Sequence, residues 1–284
     1  MFRQAVRQQS KLRMTLDGPA GSGKTLTALR FAHELAQGGK IALIDTERGS
    51  AAKYVGDTFD DVTFSFDVLE LQQFSPQRYI EGIQAAGRMG YAVLVIDSLS
   101  HAWEGTGGAL EMKQKAGDSW SSWRQITPIH NAMIDAILQS PMHVITTMRS
   151  RMEYVQEVNP DTGKIQIVKK GLAPIQRPGT EYEFDLVCDI DQQHIMTVSK
   201  SRCSAVADMI VDRPGAAFIR VVREWLNSGT EYVEPVFVPA EVHHTLDELI
   251  ERFTPEAVMA HGIPDDQAGI DALWSALEAE EGKS

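Results

Sequence analysis

Cysteine is scarce in this chain: Cys188 and Cys203 are the only two in 284 residues. Two thiols are too few for the disulfide framework of a secreted domain, and their spacing is not that of a zinc site. Long apolar runs are also missing. No stretch approaches the length of a membrane span, and the opening MFRQAVRQQSKLR is too polar for a signal peptide, so a soluble, cytoplasmic protein with no membrane partner is expected. Basic charge is in deficit, with 27 Lys and Arg against 39 Asp and Glu and a formal net charge of −12. Most of that deficit sits in residues 235–284, where 11 acidic and 2 basic side chains give −9 and leave −3 for the rest. Non-specific adhesion to nucleic acid, which rests on Lys and Arg neutralising phosphates, is disfavoured for the whole chain, although a local basic groove is not excluded.

What the chain does have begins at residue 12. LRMTL (12–16) alternates like a strand, DGPAGSGKT (17–25) follows, and LTALRFAHELAQ (26–37) has helical spacing closed by Gly38 and Gly39. Gly18, Pro19, Ala20, Gly21, Ser22, Gly23, Lys24 and Thr25 form a Walker A sequence in the strand–loop–helix setting the motif requires, with Leu26 entering the helix. The glycines let main-chain amides surround phosphate oxygens, and the helix N-terminus favours negative charge. Lys24 is expected on the β and γ phosphates of ATP, and Thr25 on Mg2+.

Two further apolar runs follow, as in a parallel sheet covered on both faces: KIALIDTE (40–47) and YAVLVIDS (91–98). The second ends in Asp97 and reads as Walker B, its carboxylate ordering magnesium through water. Open parallel sheets bind ligands at the carboxyl ends of their strands, where Glu47, Asp97 and the glycine loop would meet.

GPAGSGKT, IALIDTE and VLVIDS together resemble the RecA-like recombinase core, an α/β P-loop NTPase fold with a mainly parallel sheet flanked by helices. KLRMTLDGPAGSGKT, LIDTERGSA, VIDSLSHAW, EYEFDLVCDID and VSKSRC are similar to the short phage ATPases of the Sak type, a likeness covering roughly residues 2–230. The resemblance implies that Glu47 orients and deprotonates the attacking water. At the end of MHVITTM (142–148), where such chains carry a γ-phosphate sensor, usually glutamine, this chain departs from the pattern with Thr146 and Thr147, and Thr147 takes the nucleotide contact that the resemblance implies. Lys200 and Arg202, in HIMTVSKSRC, would reach a neighbouring subunit's ATP, which requires a homo-oligomer, ring or filament. Phe2, Arg3, Gln4 and Ala5 match the pattern F-x-x-A by which some recombinases dock into the next subunit.

Residues 101–127 are Gly- and Ser-rich with three tryptophans, and the resemblance to the RecA-like core implies that its first DNA-facing loop falls here, where Trp120 or Trp123 could stack on bases. PIHNAMIDAILQ (128–139) reads as a helix opening on Pro128. Residues 149–179 alternate around the turn NPDTG and carry Arg149, Arg151, Lys164, Lys169, Lys170 and Arg177 against three acids. This basic hairpin stands in the place of the second DNA loop, which implies single-stranded DNA as a partner, gripped through its backbone. YEFDLVCDID (182–191) and HIMTVSKSRC (194–203) pattern as an antiparallel pair.

Three segments result: 1–11 as a possible docking arm, 12–230 as the ATPase core, and 231–284 as a linker and acidic helical tail. The eight histidines, including the adjacent His243 and His244, lack metal-ligand spacing, so no metal other than magnesium is expected. The expected activity is DNA-dependent ATP hydrolysis in annealing or strand exchange, with a single-strand binding protein as a candidate partner, in a bacterial or phage-infected cell. Two alternatives stay open: a small-molecule P-loop kinase, and an ATP-gated partner-binding switch that does not touch DNA.

Overall fold

The computed structural model describes residues 4–59, 62–158, 164–230, 252–253 and 267–281, with backbone alone at 155, 158, 166–170, 267–268 and 278–281. Phe2, Arg3, Asp161, His243, His244 and the segment 244–251 lie outside the described residues. The chain divides into two compact units, Met1–Tyr232 and Val233–Ser284.

Elements of the first unit run β1 (Arg13–Gly18), α1 (Lys24–Ala36), β2 (Ile41–Asp45), β3 (Thr58–Phe59), β4 (Val62–Thr63), β5 (Asp67–Glu70), α2 (Pro76–Arg88) and β6 (Val93–Asp97). There follow α3 (His101–Glu104), α4 (Ala109–Lys115), α5 (Trp123–Leu138), β7 (His143–Val158), β8 (Ile165–Pro174), β9 (Leu186–Ile190), β10 (Ile195–Ser201), β11 (Ile210–Asp212) and α6 (Ala216–Asn227). The main sheet has the order β11-β10-β9-β1-β7-β6-β2-β5, with β8 paired to β7. From β9 to β5 the neighbours are parallel; β10, β11 and β8 pair antiparallel.

Alternation along the central strands accounts for the two layers. Val93 and Val95 face α1, whose Leu29, Phe31, Ala32 and Leu35 recur at helical spacing, while Leu94 and Ile96 face α2 and α5. Phe31 stacks on Phe218 of α6 with ring centroids 5.6 Å apart, closing the first layer. Each fully buried Leu, Ile or Phe of this kind contributes about 1.5–3 kcal/mol relative to exposure.

β1 departs from the all-apolar pattern, because Arg13, Thr15 and Asp17 alternate onto the α5 side and are nonetheless buried. Arg13 has its charge among carbonyls: the guanidinium donates to the oxygens of Leu12, Leu138, Ser140 and Met142, with Met142 at 2.7 Å. It ties the α5–β7 turn to β1, and burial brings its pKa down to about 10.

The helix expected from Pro128 begins five residues earlier, at Trp123, with Pro128 inside it. Trp123 stacks on Trp103 at 5.4 Å and Ile126 is buried, so packing extends the helix through a proline that removes one backbone bond. Within the Gly- and Ser-rich stretch two short helices form, α3 and α4. In the second unit, α7 (Gln267–Glu281) buries Leu273 and Leu277 with Phe253, whose ring meets Trp274 edge-on at 5.3 Å. Among the described residues no helix is long and apolar enough to cross a membrane.

Arg13→Met would leave three turn carbonyls without their donor. It is expected to lower unfolding free energy by about 2–4 kcal/mol in urea titration, where a neutral packing role would change it little.

Candidate nucleotide site

The parallel register brings four strand tips to one edge. Gly18 lies beside Arg149, Leu16 beside Thr147, Ile96 beside Thr146, and Asp45 beside Asp97. From β1 the chain turns through the glycine loop into α1. Gly23 sits at φ 90°, a left-handed conformation that favours glycine, and starts the helix with its amides facing the loop. A Cβ on Gly18 would lie 2.3 Å from the carbonyl oxygen of Ile190, so β9 packs directly on the loop.

Within this edge Asp97 is shared. Its Oδ2 accepts from the Thr25 hydroxyl at 2.6 Å and its Oδ1 from the Thr147 hydroxyl at 2.5 Å, joining α1, β6 and β7. Burial raises the Asp97 pKa against the pull of those two donors. Lys24 Nζ donates to the Pro19 carbonyl at 2.8 Å, and burial lowers its pKa against the attraction of Asp97 and Glu47. Beside Asp97, Asp45 is 1% exposed; its Oδ1 accepts from the Glu47 amide at 2.5 Å and its Oδ2 has no hydrogen-bond partner. A buried carboxylate oxygen without a donor, next to a hydroxyl–carboxylate pair, suits a hydrated cation, which Thr25 and Asp97 would hold. A bound magnesium would supply neutralisation of phosphate charge here.

Glu47 lies just past β2 and is half-buried. Burial works against its ionisation, but the hydrogen bonds and charge of Arg149, with the His101 side chain nearby, outweigh that and lower its pKa. Arg149 Nε donates to Glu47 Oε1 at 2.8 Å and Nη2 to Oε2, a two-pronged ion pair.

Several residues around this cluster were not foreseen. The Thr46 hydroxyl lies 2.6 Å from His101 Nδ1 and accepts from the Ser98 amide at 2.8 Å; the Tyr79 hydroxyl donates to the Ser98 carbonyl at 3.1 Å. The Asp97–Ser98 peptide bond is cis. His101 stacks on Phe74 at 4.8 Å. His194, from the β9–β10 turn, places Nδ1 3.0 Å from the Ser22 carbonyl. Thr46, Ser98, His101 and His194 fall within stretches quoted above without a role of their own, and Phe74 and Tyr79 fall in none; only the closeness of Ser98 and His101 to Asp97 could have marked them.

The predicted residues therefore separate. Gly18 to Thr25, Glu47, Asp97 and Thr147 come together, and Leu26 packs against the core beneath. Lys200 and Arg202 do not join them. β10 runs antiparallel to β9, so they sit at the opposite end of the sheet from their own loop. Lys200 donates to the carbonyls of Glu181, Tyr182 and Phe184, and Arg202 pairs with Asp185 at 3.1 Å while 58% exposed.

The expected DNA set divides as well. Arg149 is turned onto Glu47, Arg151 and Lys164 are exposed on the β7–β8 arm, and the side chains of Lys169 and Lys170 lie outside the described residues. Arg177 instead lines an open groove of about 810 Å3 with Trp103, Trp120, Trp123, Arg124 and Pro178. Trp120 is 88% exposed.

Asp17, one residue before the loop, is buried near Asp189 and Glu181, and accepts from Thr15 at 2.9 Å. Burial, aided by those acids, raises its pKa to about 7. The unfolded carboxyl ionises near pH 4, so between about pH 4 and 7 the folded state retains a proton the unfolded chain has lost, and stability falls as pH rises. Asp17→Asn should remove this part of the pH dependence and raise the urea midpoint relative to wild type at pH 8. A constant difference between the two proteins from pH 4 to 8 would contradict the assignment.

No curated protein matches the chain. The AAA domain family matches residues 10–207, well over half of the 284 residues, and that span contains the loop, Glu47, Asp97, Thr147 and both outlying basic residues. With a loop, helix and acidic strand tips arranged for a nucleoside triphosphate, the chain belongs to the AAA domain family of P-loop ATPases.

Proposed function

We propose that this chain is a RecA-like ATPase of the phage Sak type that assembles on single-stranded DNA and promotes annealing or strand exchange. One observation supports this reading above the others. β7 runs without interruption from Thr147, bonded to Asp97, through Arg149, bonded to Glu47, into the arm that carries Arg151 and pairs with β8. An arm that carries exposed Arg151 and Lys164 and is built on a strand of the nucleotide edge would link phosphate-backbone contact to nucleotide state.

The tryptophan groove supports the same reading from a second side. α3 carries His101 against Thr46 at the nucleotide edge and Trp103 in the groove, so a four-residue helix spans both. Exposed tryptophan beside arginine suits stacked bases with a phosphate backbone, each stacked base contributing about 1–3 kcal/mol.

In the reaction, Lys24 holds the β and γ phosphates and Glu47 orients a water molecule. The water oxygen bonds to the γ-phosphorus, the bond to the β-phosphate oxygen breaks, and Glu47 accepts the water proton, leaving ADP and inorganic phosphate. Among the outlying basic residues Arg202 is the one suited to a neighbour's ATP. Its guanidinium is 58% exposed and makes one 3.1 Å pair with Asp185, so solvent screens it on one side, whereas the Lys200 ammonium donates to three carbonyls of its own chain. ATP between subunits of a ring or filament follows, and a single-strand binding protein is a fitting partner.

A second reading, an ATP-gated switch with slow hydrolysis, is favoured by the Glu47–Arg149 pair, which occupies the base. ATP turnover measured against protein concentration, with and without single-stranded DNA, separates the two. The recombination reading expects a rate per protomer that climbs with concentration and with DNA, and that falls roughly 100- to 1000-fold in Arg202→Ala. A rate indifferent to DNA and to the substitution would leave the switch standing.

A further inference from the structure

Glu47 and Arg149 are 102 positions apart in sequence, yet the guanidinium closes on the carboxylate with both prongs. The side chains are 25% and 42% exposed, so water only partly screens the pair. Both carboxylate oxygens already accept from a cation, and a carboxylate held in that way is a poor acceptor for the proton of an attacking water. Hydrolysis by Glu47 therefore requires the pair to open.

The means of opening it stands nearby. Arg149 pairs in register with Gly18 at the mouth of the glycine loop and lies within the field of Lys24 and of Asp97, where the ATPase reading puts the terminal phosphate. A guanidinium engages phosphate oxygens with the same fork it offers a carboxylate, and a triphosphate carries more charge than one glutamate. The main chain of Arg149 is fixed meanwhile: its amide donates to Ser100 Oγ at 2.9 Å and its carbonyl accepts from Ile175 at 2.7 Å. Only the side chain has to move. Thr147, two residues before it, is committed to Asp97.

We propose that Arg149 is a latch on Glu47 that the nucleotide exchanges: it holds the carboxylate when the terminal phosphate is absent and transfers to that phosphate when ATP binds, releasing Glu47 to orient water. This rests on the ATPase reading above. Arg149 is then a positioning residue for Glu47 and a contact of the γ-phosphate. Phosphate release returns it to Glu47, so the base is available only while there is a bond to cleave. Because Arg149 belongs to β7, the exchange occurs at the root of the β7–β8 arm.

Binding measured without turnover tests this. Calorimetry with the β,γ-imido analogue of ATP and with ADP, both with magnesium, is run on wild type, Glu47→Gln, Arg149→Gln and the double variant. Removing the glutamate charge frees the guanidinium, so Glu47→Gln is expected to bind the imido analogue about 10-fold tighter with ADP unchanged. In the Arg149→Gln background the same substitution should change neither ligand. No gain in Glu47→Gln overturns the latch. An equal gain without Arg149 also overturns it, since that would be relief of charge repulsion alone. ADP affinity reports an intact pocket; if Arg149→Gln loses it, Arg149→Met supplies the background, and the Glu47→Gln result stands by itself. Failure of wild type to bind either nucleotide would count against the ATPase reading instead.

Discussion

A buried carboxylate shared by two hydroxyls holds this site together. Asp97 accepts from Thr25 on the first turn of α1 and from Thr147 on β7, so the phosphate loop, the central strand and the strand leading to the arm meet at one side chain. Such a group is costly to bury unless its oxygens are satisfied, and here each has a donor. The requirement propagates outward. α1 must begin at Lys24, which places the left-handed turn at Gly23, and β7 must keep its register with β6, which places Arg149 over Glu47.

Around that point the molecule sorts its charges by position along the strands. At the carboxyl edge stand Asp45, Glu47, Asp97, Lys24 and Arg149, where a triphosphate and a cation would settle their mutual repulsion and attraction. At the opposite edge stand Arg13, Lys200 and Arg202. The first two are absorbed by carbonyls of the fold, and the Arg202 side chain pairs with Asp185 while itself staying 58% exposed. Two routes lead outward from the nucleotide edge, β7 into the basic arm and α3 into the tryptophan groove, and both start from groups that touch Glu47 or its neighbour Thr46.

Much of the site was legible in the sequence because its chemistry lies in contiguous residues. The glycine loop, the apolar strands ending at Asp45 and Asp97, and the alternation of β9 and β10 are local patterns, and the parallel sheet follows from them. What was not legible depends on distant pairings. Arg149 reads as one of six basic residues in a hairpin, and only the registers of β2 with β6 and of β6 with β7 reveal that it closes on Glu47. Lys200 and Arg202 alternate in sequence as equals, and only the path of the 181–185 segment gives one to its own carbonyls and leaves the other near the surface. Pro128 looks like a helix start, but the stacking of Trp103 on Trp123 decides where α5 begins.

The most direct test of the account is a crystal structure with magnesium, ADP and a planar mimic of the transferring phosphoryl group. The account predicts the mimic beside Lys24, a water in line with it on Glu47, and the Arg149 guanidinium moved onto the mimic. A nucleotide bound away from the glycine loop, or Glu47 turned beyond reach of that water, would contradict it.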